Sequence, residues 1–379
     1  MSSFEFRTAA NIQVQTGGAE RLASFLPKPT PGRKRVFFLT DQVLLDLGIV
    51  AGALNSLEEA GFEVSTCADV VPDPPEEMVL SVTELARRSQ ADMVIAMGGG
   101  STMDTAKIVA ALLGSDQALS DMYGVNQITG ARSPLILITT TAGTGSEVTP
   151  VSIVTVDGTR KMGVSSPVLF PDLALLDATL TLGLPAKMTA ATGIDAMVHA
   201  IEAFTSRIKK NPVSDAVAEL ALKKLHANIL RACKDGSDLE AREDMLIGAM
   251  LGGQAFANAP VAAVHALAYP LGSKFHVAHG LSNSLVLPSV LAFNAPAAEE
   301  EYAYLADLIG LAPSSSALID EMSRIADETG IETRLSEVGV KAEHLPDLAR
   351  DAIDIQRLLI NNPREVTFED ALACYEAAL

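Results

Sequence analysis

The sequence predicts an α/β N-terminal domain with a mostly parallel sheet, followed by an all-helical C-terminal domain, with the division at residues 1–184 and 185–379. Three observations carry this. The chain has 379 residues, and domains typically hold roughly 100–200, so two domains are expected. Its first half alternates short β-rich apolar runs with helical patterns, the mark of βαβ units. After Pro185 the texture changes to Ala-rich stretches of helical periodicity with no convincing strand run.

The elements follow in order. Arg35–Thr40 (RVFFLT) reads as a buried strand and Gln42–Ala60 as a helix. Asp92–Met97 (DMVIAM) is a second strand, ended by three glycines and followed by a helical Thr102–Leu113. Leu135–Thr141, Val151–Val156 and Leu173–Asp177 complete the strand runs. Such apolar strands need helices over both sheet faces. The junction falls near Gly183–Lys187, and breaks among the later helices are expected at Pro212, Asp235–Ser237, Pro288, Pro296 and Pro313. Ala295–Glu301 (APAAEEE) reads as a loop leading into a solvated helix start.

Composition narrows the function classes. With 28 basic and 47 acidic residues the net charge is −19, so a nucleic acid or an anionic bilayer is repelled. Aromatics are 4% with no Trp, which argues against base-stacking platforms. Cys67, Cys233 and Cys374 are scattered, forming neither a disulfide framework nor a CxxC site and suiting a reducing compartment. Met1–Ala10 is polar, with no apolar h-region behind it, so a cytoplasmic location is expected. Met245–Ser273 contains no Asp, Glu, Lys or Arg. Its Gln, Asn, His, Pro and Gly residues do not suit a membrane span, and a pair of helices buried on all sides is the better reading.

Two turns and a set of polar residues carry the chemistry. Gly98-Gly99-Gly100-Ser101 joins a strand to a helix, where backbone amides can face an anion. It is neither GxGxxG nor a P-loop, and a plain tight turn is about as good a reading. A second turn, Thr139–Glu147 (TTTAGTGSE), follows another strand. Two such turns at strand ends favour a nucleotide cradle, since open α/β sheets bind ligands beyond their carboxyl edges. Asp41, after the first strand, is placed to accept from ribose hydroxyls and to repel a 2′-phosphate; capping a helix is its plainer role. Asp195 and His199 stand four apart in GIDAMVHAIEAF, on one helix face. With His265 and His279 they make a plausible Fe²⁺ or Zn²⁺ site, although each histidine alone fits a hydrogen-bonded core residue. His276 fits a relay or substrate contact, while His226 and His344 read as solvent-facing and unrelated. Phe256, nine before His265, reads equally as a pocket wall or as core.

In combination these stretches resemble the iron-containing (group III) alcohol dehydrogenases, a family that includes lactaldehyde reductases and 1,3-propanediol dehydrogenases. The matching residues are GGGSTMDTAK (Gly98–Lys107), TTTAGTGSEVT (Thr139–Thr149), GIDAMVHAIEAF (Gly193–Phe204), HALAYPLGSKFHVAHGLSNSLVLP (His265–Pro288) and NNPREVT (Asn361–Thr367). The resemblance implies a dinucleotide-binding N-terminal domain and a metal-binding helical domain, with Asp195, His199, His265 and His279 as metal ligands. It implies that Gly98, Gly99, Gly100, Ser101, Asp104, Thr140, Thr141, Thr149, Lys161 and Leu180 lie along NAD, with Asp41 at the position tied to NAD preference.

The implied reaction interconverts a small primary alcohol and its aldehyde by hydride transfer to or from the nicotinamide, with Fe²⁺ or Zn²⁺ polarising the substrate oxygen. Three positions depart from relatives. Tyr269 stands where several members carry a histidine, which leaves Tyr269, His276 or the ribose for a proton path. Asp73 replaces a common Asn, and Val151 replaces an Asn or Phe near the substrate, which leans towards simple alcohols over diols. The rivals are a dehydroquinate synthase-like or glycerol dehydrogenase-like enzyme on the same scaffold, and a catalytically silent binding protein. The first needs a basic cluster, yet only Lys274 lies near the ligand motifs; the last predicts a degraded ligand set, and all four are present. Family members form dimers and larger assemblies, so a homo-oligomer, with a homodimer as the simplest, is expected by resemblance.

Overall fold

Four of the apolar runs become neighbouring strands of one parallel sheet. The computed structural model describes residues 3–30, 32–158 and 160–379, so the first two residues of Met1–Ala10 lie outside it. The strands are β1 (Ile12–Val14), β2 (Arg35–Leu39), β3 (Glu63–Cys67), β4 (Met93–Gly98), β5 (Gly124–Val125), β6 (Leu135–Thr139), β7 (Val151–Val156), β8 (Arg160–Ser165) and β9 (Leu173–Leu176). Six of them form a sheet in the order β1-β9-β6-β4-β2-β3, with every pair parallel. Residues alternate between its faces, as the period of a strand requires. Val36, Phe38, Ile95 and Met97 pack to one side with Ala53 and Leu57, and Phe37, Leu39, Val94 and Ala96 to the other with Met103, Ala106 and Val109.

The fifth run departs from expectation. Val151–Val156 does not join the parallel sheet but pairs antiparallel with β8 in a separate sheet of order β5-β8-β7. An Asp-Gly turn, with Asp157 at φ 53, sends the chain back on itself. The edge strands β1 and β3 carry no continuous apolar run, being short or largely exposed.

The helices of this half are α1 (Gln42–Asp46), α2 (Ala51–Glu59), α3 (Glu76–Arg88) and α4 (Gly100–Gly114). The expected single helix over Gln42–Ala60 is thus two, divided where Gly48 takes φ +70, a left-handed value that ends a helix. From residue 186 on, the described chain is helical: α5 (Ala186–Thr205), α6 (Pro212–Lys234), α7 (Leu239–Asn258), α8 (Ala263–Phe275), α9 (His279–Leu308), α10 (Ser315–Thr329), α11 (Leu345–Ile353), α12 (Gln356–Leu359) and α13 (Phe368–Ala378). Pro212 opens α6, where its missing N–H costs nothing. Pro288 and Pro296, read as breaks, instead lie inside α9, and Ala295–Glu301 is helix rather than loop. The prolines leave a local kink at Ala298 (φ −132), while packing against α5, α8 and α10 keeps the helix going.

By internal contacts the chain forms two compact units. One is the sheet unit, Arg7–Thr141 with Ser146–Leu182. The other is the helical unit, Gly183–Leu379 with Ala142–Gly145 and the described N-terminal residues up to Phe6. Met245–Ser273 supplies most of α7 and α8, two largely buried helices that meet at 106°. No single helix among the described residues is long and apolar enough to cross a membrane, and that bent pair meets the criterion only jointly. NNPREVT fastens the helical unit: Asn361 Nδ2 donates to Val261 O at 3.0 Å, just before α8, and Asn362 and Asn294 exchange hydrogen bonds at 2.7 and 2.9 Å.

Candidate functional site

In the helical unit, α5 places Asp195, His199 and Glu202 at i, i+4 and i+7 on one face. His265 stands in the first turn of α8 and His279 opens α9. The Nε2 atoms of His199, His265 and His279 lie 3.8, 3.8 and 3.6 Å from Asp195 Oδ1. One ligand atom from each of the four residues falls within 4.8 Å of the others. Ligands at about 2.1 Å from a tetrahedral metal are about 3.4 Å apart, and the three imidazole distances to Asp195 Oδ1 approach that spacing.

The electrostatics fit the same chemistry. Burial drives the His199 pKa down to about 3, which keeps the imidazole neutral with a lone pair to give. Burial alone would raise the Asp195 carboxyl, but the three imidazoles and the Asn283 amide outweigh it and hold it below the usual carboxylate range. His265 Nδ1 meets Glu202 Oε2 at 2.6 Å, so its Nε2 is the nitrogen turned to the group. Asn283 Nδ2 donates to Asp195 Oδ1 at 2.6 Å, while its buried Oδ1 has no hydrogen-bond partner. Three imidazoles and one carboxylate are a donor set that suits a divalent transition metal. Burial differs around the group: Asp195, His199 and His265 are buried, while the His279 side chain is 40% exposed, leaving one side accessible.

The neighbouring rings are ordered about these ligands. Phe256 packs on His199 with ring centroids 4.4 Å apart, so it touches a member of the group as well as the core. Tyr269 lies 5.9 Å from His279, centroid to centroid, and the Arg357 guanidinium lies over the Tyr269 ring, 5.6 Å from its centroid. His276 is exposed and caps α8 in the left-handed conformation, outside the four-residue group. His226 and His344 are also outside it. Contrary to a simple solvent-facing role, His226 is paired with Glu321 at 2.7 Å and His344 packs on Phe275.

The sheet unit holds the glycine turn and the start of the second turn, Thr139–Thr141, at the carboxyl ends of adjacent strands, β4 and β6. Gly98 ends β4, and Gly99 precedes α4 with no side-chain cap, so the first amides of α4 stay available to an anion. A Cβ on Gly99 would meet nothing nearer than Thr141 at 3.8 Å, so the space in front of the turn is open. Thr140 N–H donates to Gly98 O at 3.1 Å, which ties the two turns together. Asp41 caps α1, accepting from Leu44 N–H at 3.0 Å. Lys161 is paired with Asp73 at 2.6 Å and donates to Thr155 Oγ1 at 2.9 Å, which gives the unusual Asp73 a partner. Leu180 packs against the sheet core, and Val151 is half-buried on β7.

Asp104 is occupied within the unit: its carboxylate accepts from Ser146 Oγ at 2.6 Å and Ile153 N–H at 2.9 Å. Lys107, one helical turn on and fully buried, donates to Ser146 Oγ at 2.7 Å, Thr149 Oγ1 at 3.2 Å and Val151 O at 2.7 Å. Burial lowers the Lys107 pKa and raises that of the adjacent Glu147 to about 7. Sequence reasoning missed Lys107, Glu147, Glu202 and Asn283. Helical spacing was the available signal, since Glu202 follows His199 by three, Asn283 follows His279 by four and Lys107 follows Asp104 by three.

A parallel sheet with a glycine turn at a strand end and a helical unit with a three-histidine, one-carboxylate group are parts that a metal-assisted dehydrogenase needs. The chain belongs to the iron-containing alcohol dehydrogenase family: residues 9–178 match the iron-containing alcohol dehydrogenase model and residues 189–379 the C-terminal model of the Fe-containing alcohol dehydrogenase family. It is 38% identical to long-chain-alcohol dehydrogenase 1 of Geobacillus thermodenitrificans, over 92% of this chain and 90% of that protein. It is 36% identical to the sulfoacetaldehyde reductase of Bilophila wadsworthia, over 95% of both. The crystal structure of a 1,3-propanediol oxidoreductase aligns with a TM-score of 0.94 and 32% identity, covering 100% of both chains. The NAD⁺ complex of sulfoacetaldehyde reductase from Bifidobacterium kashiwanohense aligns with a TM-score of 0.88 and 28% identity, covering 100% of this chain and 99% of that one. The chain is therefore an enzyme, an oxidoreductase of the alcohol dehydrogenase type, rather than a lyase or a silent scaffold.

Proposed function

We propose that the chain interconverts small primary alcohols and aldehydes with NAD(H), using Fe²⁺ held by Asp195, His199, His265 and His279, with Zn²⁺ as a substitute. Convergence of three imidazole Nε2 atoms on Asp195 Oδ1 within 3.8 Å carries this reading. When bound, the metal polarises the substrate oxygen and the nicotinamide gives or takes the hydride.

The chain's residues do the rest. Residues 1–184 form the NAD-binding domain, where the turn at Gly98, Gly99, Gly100 and Ser101 presents amides to the pyrophosphate. Thr140, Thr141, Thr149, Lys161 and Leu180 border the dinucleotide, and Asp104 holds that border in shape through Ser146 and Ile153. Asp41 accepts from the adenosine ribose and disfavours a 2′-phosphate. Residues 185–379 form the metal-binding domain. Phe256, against the His199 ring, keeps water from the buried side of the group. Tyr269, beside the exposed His279, is better placed than His276 to pass a proton to solvent. Val151 offers no hydrogen bond to a second hydroxyl, so monohydric alcohols are preferred. The −19 charge and the absence of a single spanning helix among the described residues support a cytoplasmic enzyme, and family habit supports a homodimer.

The substrate reading is tested by NADH absorbance with Fe²⁺-loaded enzyme on 1-propanol and 1,2-propanediol. The expected result is a higher kcat/KM for 1-propanol. A strong preference for the diol removes the role given to Val151.

A further inference from the structure

We infer that Glu202 is a positioning residue for the metal centre, fixing the orientation and tautomer of His265. This rests on the reading of Asp195, His199, His265 and His279 as ligands. Glu202 is deep in α5, its side chain 5% exposed, and both of its oxygens face nitrogen. Oε1 accepts from the backbone N–H of Val264 at 2.7 Å, and Oε2 lies 2.6 Å from His265 Nδ1.

An ionised carboxylate only accepts, so the proton between Glu202 and His265 sits on Nδ1. A neutral ring protonated at Nδ1 leaves the Nε2 lone pair, which is the atom 3.8 Å from Asp195 Oδ1. Carboxylates that bind the far nitrogen of a ligating histidine hold the ring in orientation and raise its basicity.

Glu202 has a competing structural use. Val264 N–H belongs to the first turn of α8 and lacks an intrahelical acceptor, so Oε1 also caps that helix. Glu202→Gln separates the two roles. The Gln carbonyl still accepts from Val264 N–H, but its NH₂ then faces His265 Nδ1. That nitrogen must become the acceptor, and the ring proton moves to Nε2, where it blocks the metal.

The test uses metal-free full-length protein labelled with ¹⁵N-histidine, of which the chain has only six residues, together with a Co²⁺ titration read by absorption. The wild type is expected to bind one Co²⁺ and to show His265 as the Nδ1–H tautomer. E202Q is expected to bind Co²⁺ about 10–100-fold more weakly, to carry its His265 proton on Nε2, and to melt near the wild type when metal-free. Unchanged Co²⁺ affinity in E202Q, or an Nε2–H tautomer in the metal-free wild type, overturns the inference. The wild-type tautomer decides the matter even where E202Q does not fold. If E202Q binds normally while His265→Ala does not bind, only the role of Glu202 falls. If wild type and His265→Ala take up Co²⁺ alike, the ligand reading falls with it.

Discussion

Asp195 and Glu147 are both buried carboxyls, and their surroundings push them in opposite directions. Asp195 is ringed by imidazoles and stays ionised, whereas Glu147 has one oxygen without any partner and is raised by burial to about 7. The sign of the consequence follows from linkage. Below pH 4.5, the ordinary value for Glu147, native and unfolded chains are both protonated and nothing is lost. Between there and about 7 the unfolded carboxyl ionises first, so stability falls with rising pH, and above 7 the loss is complete. It amounts to at most on the order of 3 kcal/mol at about 1.36 kcal/mol per unit. Glu147→Gln removes it, so the melting temperature of E147Q relative to wild type should rise from pH 5 to pH 8. A difference that stays constant over that range contradicts the burial argument. Neither Glu147 nor its neighbour Lys107 stood out in the sequence as buried, because a charged side chain is usually solvated and only the folded neighbourhood covers these two.

At the scale of elements, the proposed metal group depends on how closely α9 approaches α5. Gly280, next to His279, has room for hydrogen only: a Cβ there would stand 2.3 Å from the Ala191 carbonyl oxygen and 3.3 Å from Asp195 Cβ. Gly280→Ala must push α9 outward, and the expected cost is about 1–3 kcal/mol of stability. Because His279 moves with the helix, metal affinity should fall as well, read by Co²⁺ titration beside thermal melting. Wild-type affinity in a destabilised G280A would show that His279 is not held by this contact.

Legibility followed the same logic. The spacing of Asp195 and His199 and the charge-free Met245–Ser273 were readable because period and burial both leave marks in sequence. The strands β2, β4, β6 and β9 were readable as continuous apolar runs buried on two faces. The edge strands, the β7–β8 hairpin and the uninterrupted α9 were not, since exposure, pairing partner and tertiary support for Pro288 and Pro296 are properties of the folded neighbourhood. Glu202 and Asn283 stood inside matched motifs, yet their partners His265 and Asp195 are 63 and 88 residues away in sequence.

For the whole molecule, the proposed roles divide between the units: all four members of the proposed metal group belong to the helical unit, and the glycine turn and Thr139–Thr141 to the sheet unit. The charge-free stretch of α7 and α8, Met245–Ser273, carries a single histidine, His265, to the four-residue group. A ligand that binds only the folded state stabilises it by about 2.7 kcal/mol at a hundred times its Kd, so chelation should lower the melting temperature as well as abolish turnover. The most direct test is the metal content of purified wild type and His265→Ala, measured together with alcohol-dependent NAD⁺ reduction. The expected result is about one Fe²⁺ or Zn²⁺ per wild-type chain, with activity lost on chelation and restored by Fe²⁺, and neither metal nor activity in H265A. A chelated wild type, or an H265A chain, that still reduces NAD⁺ at the wild-type rate would contradict the account.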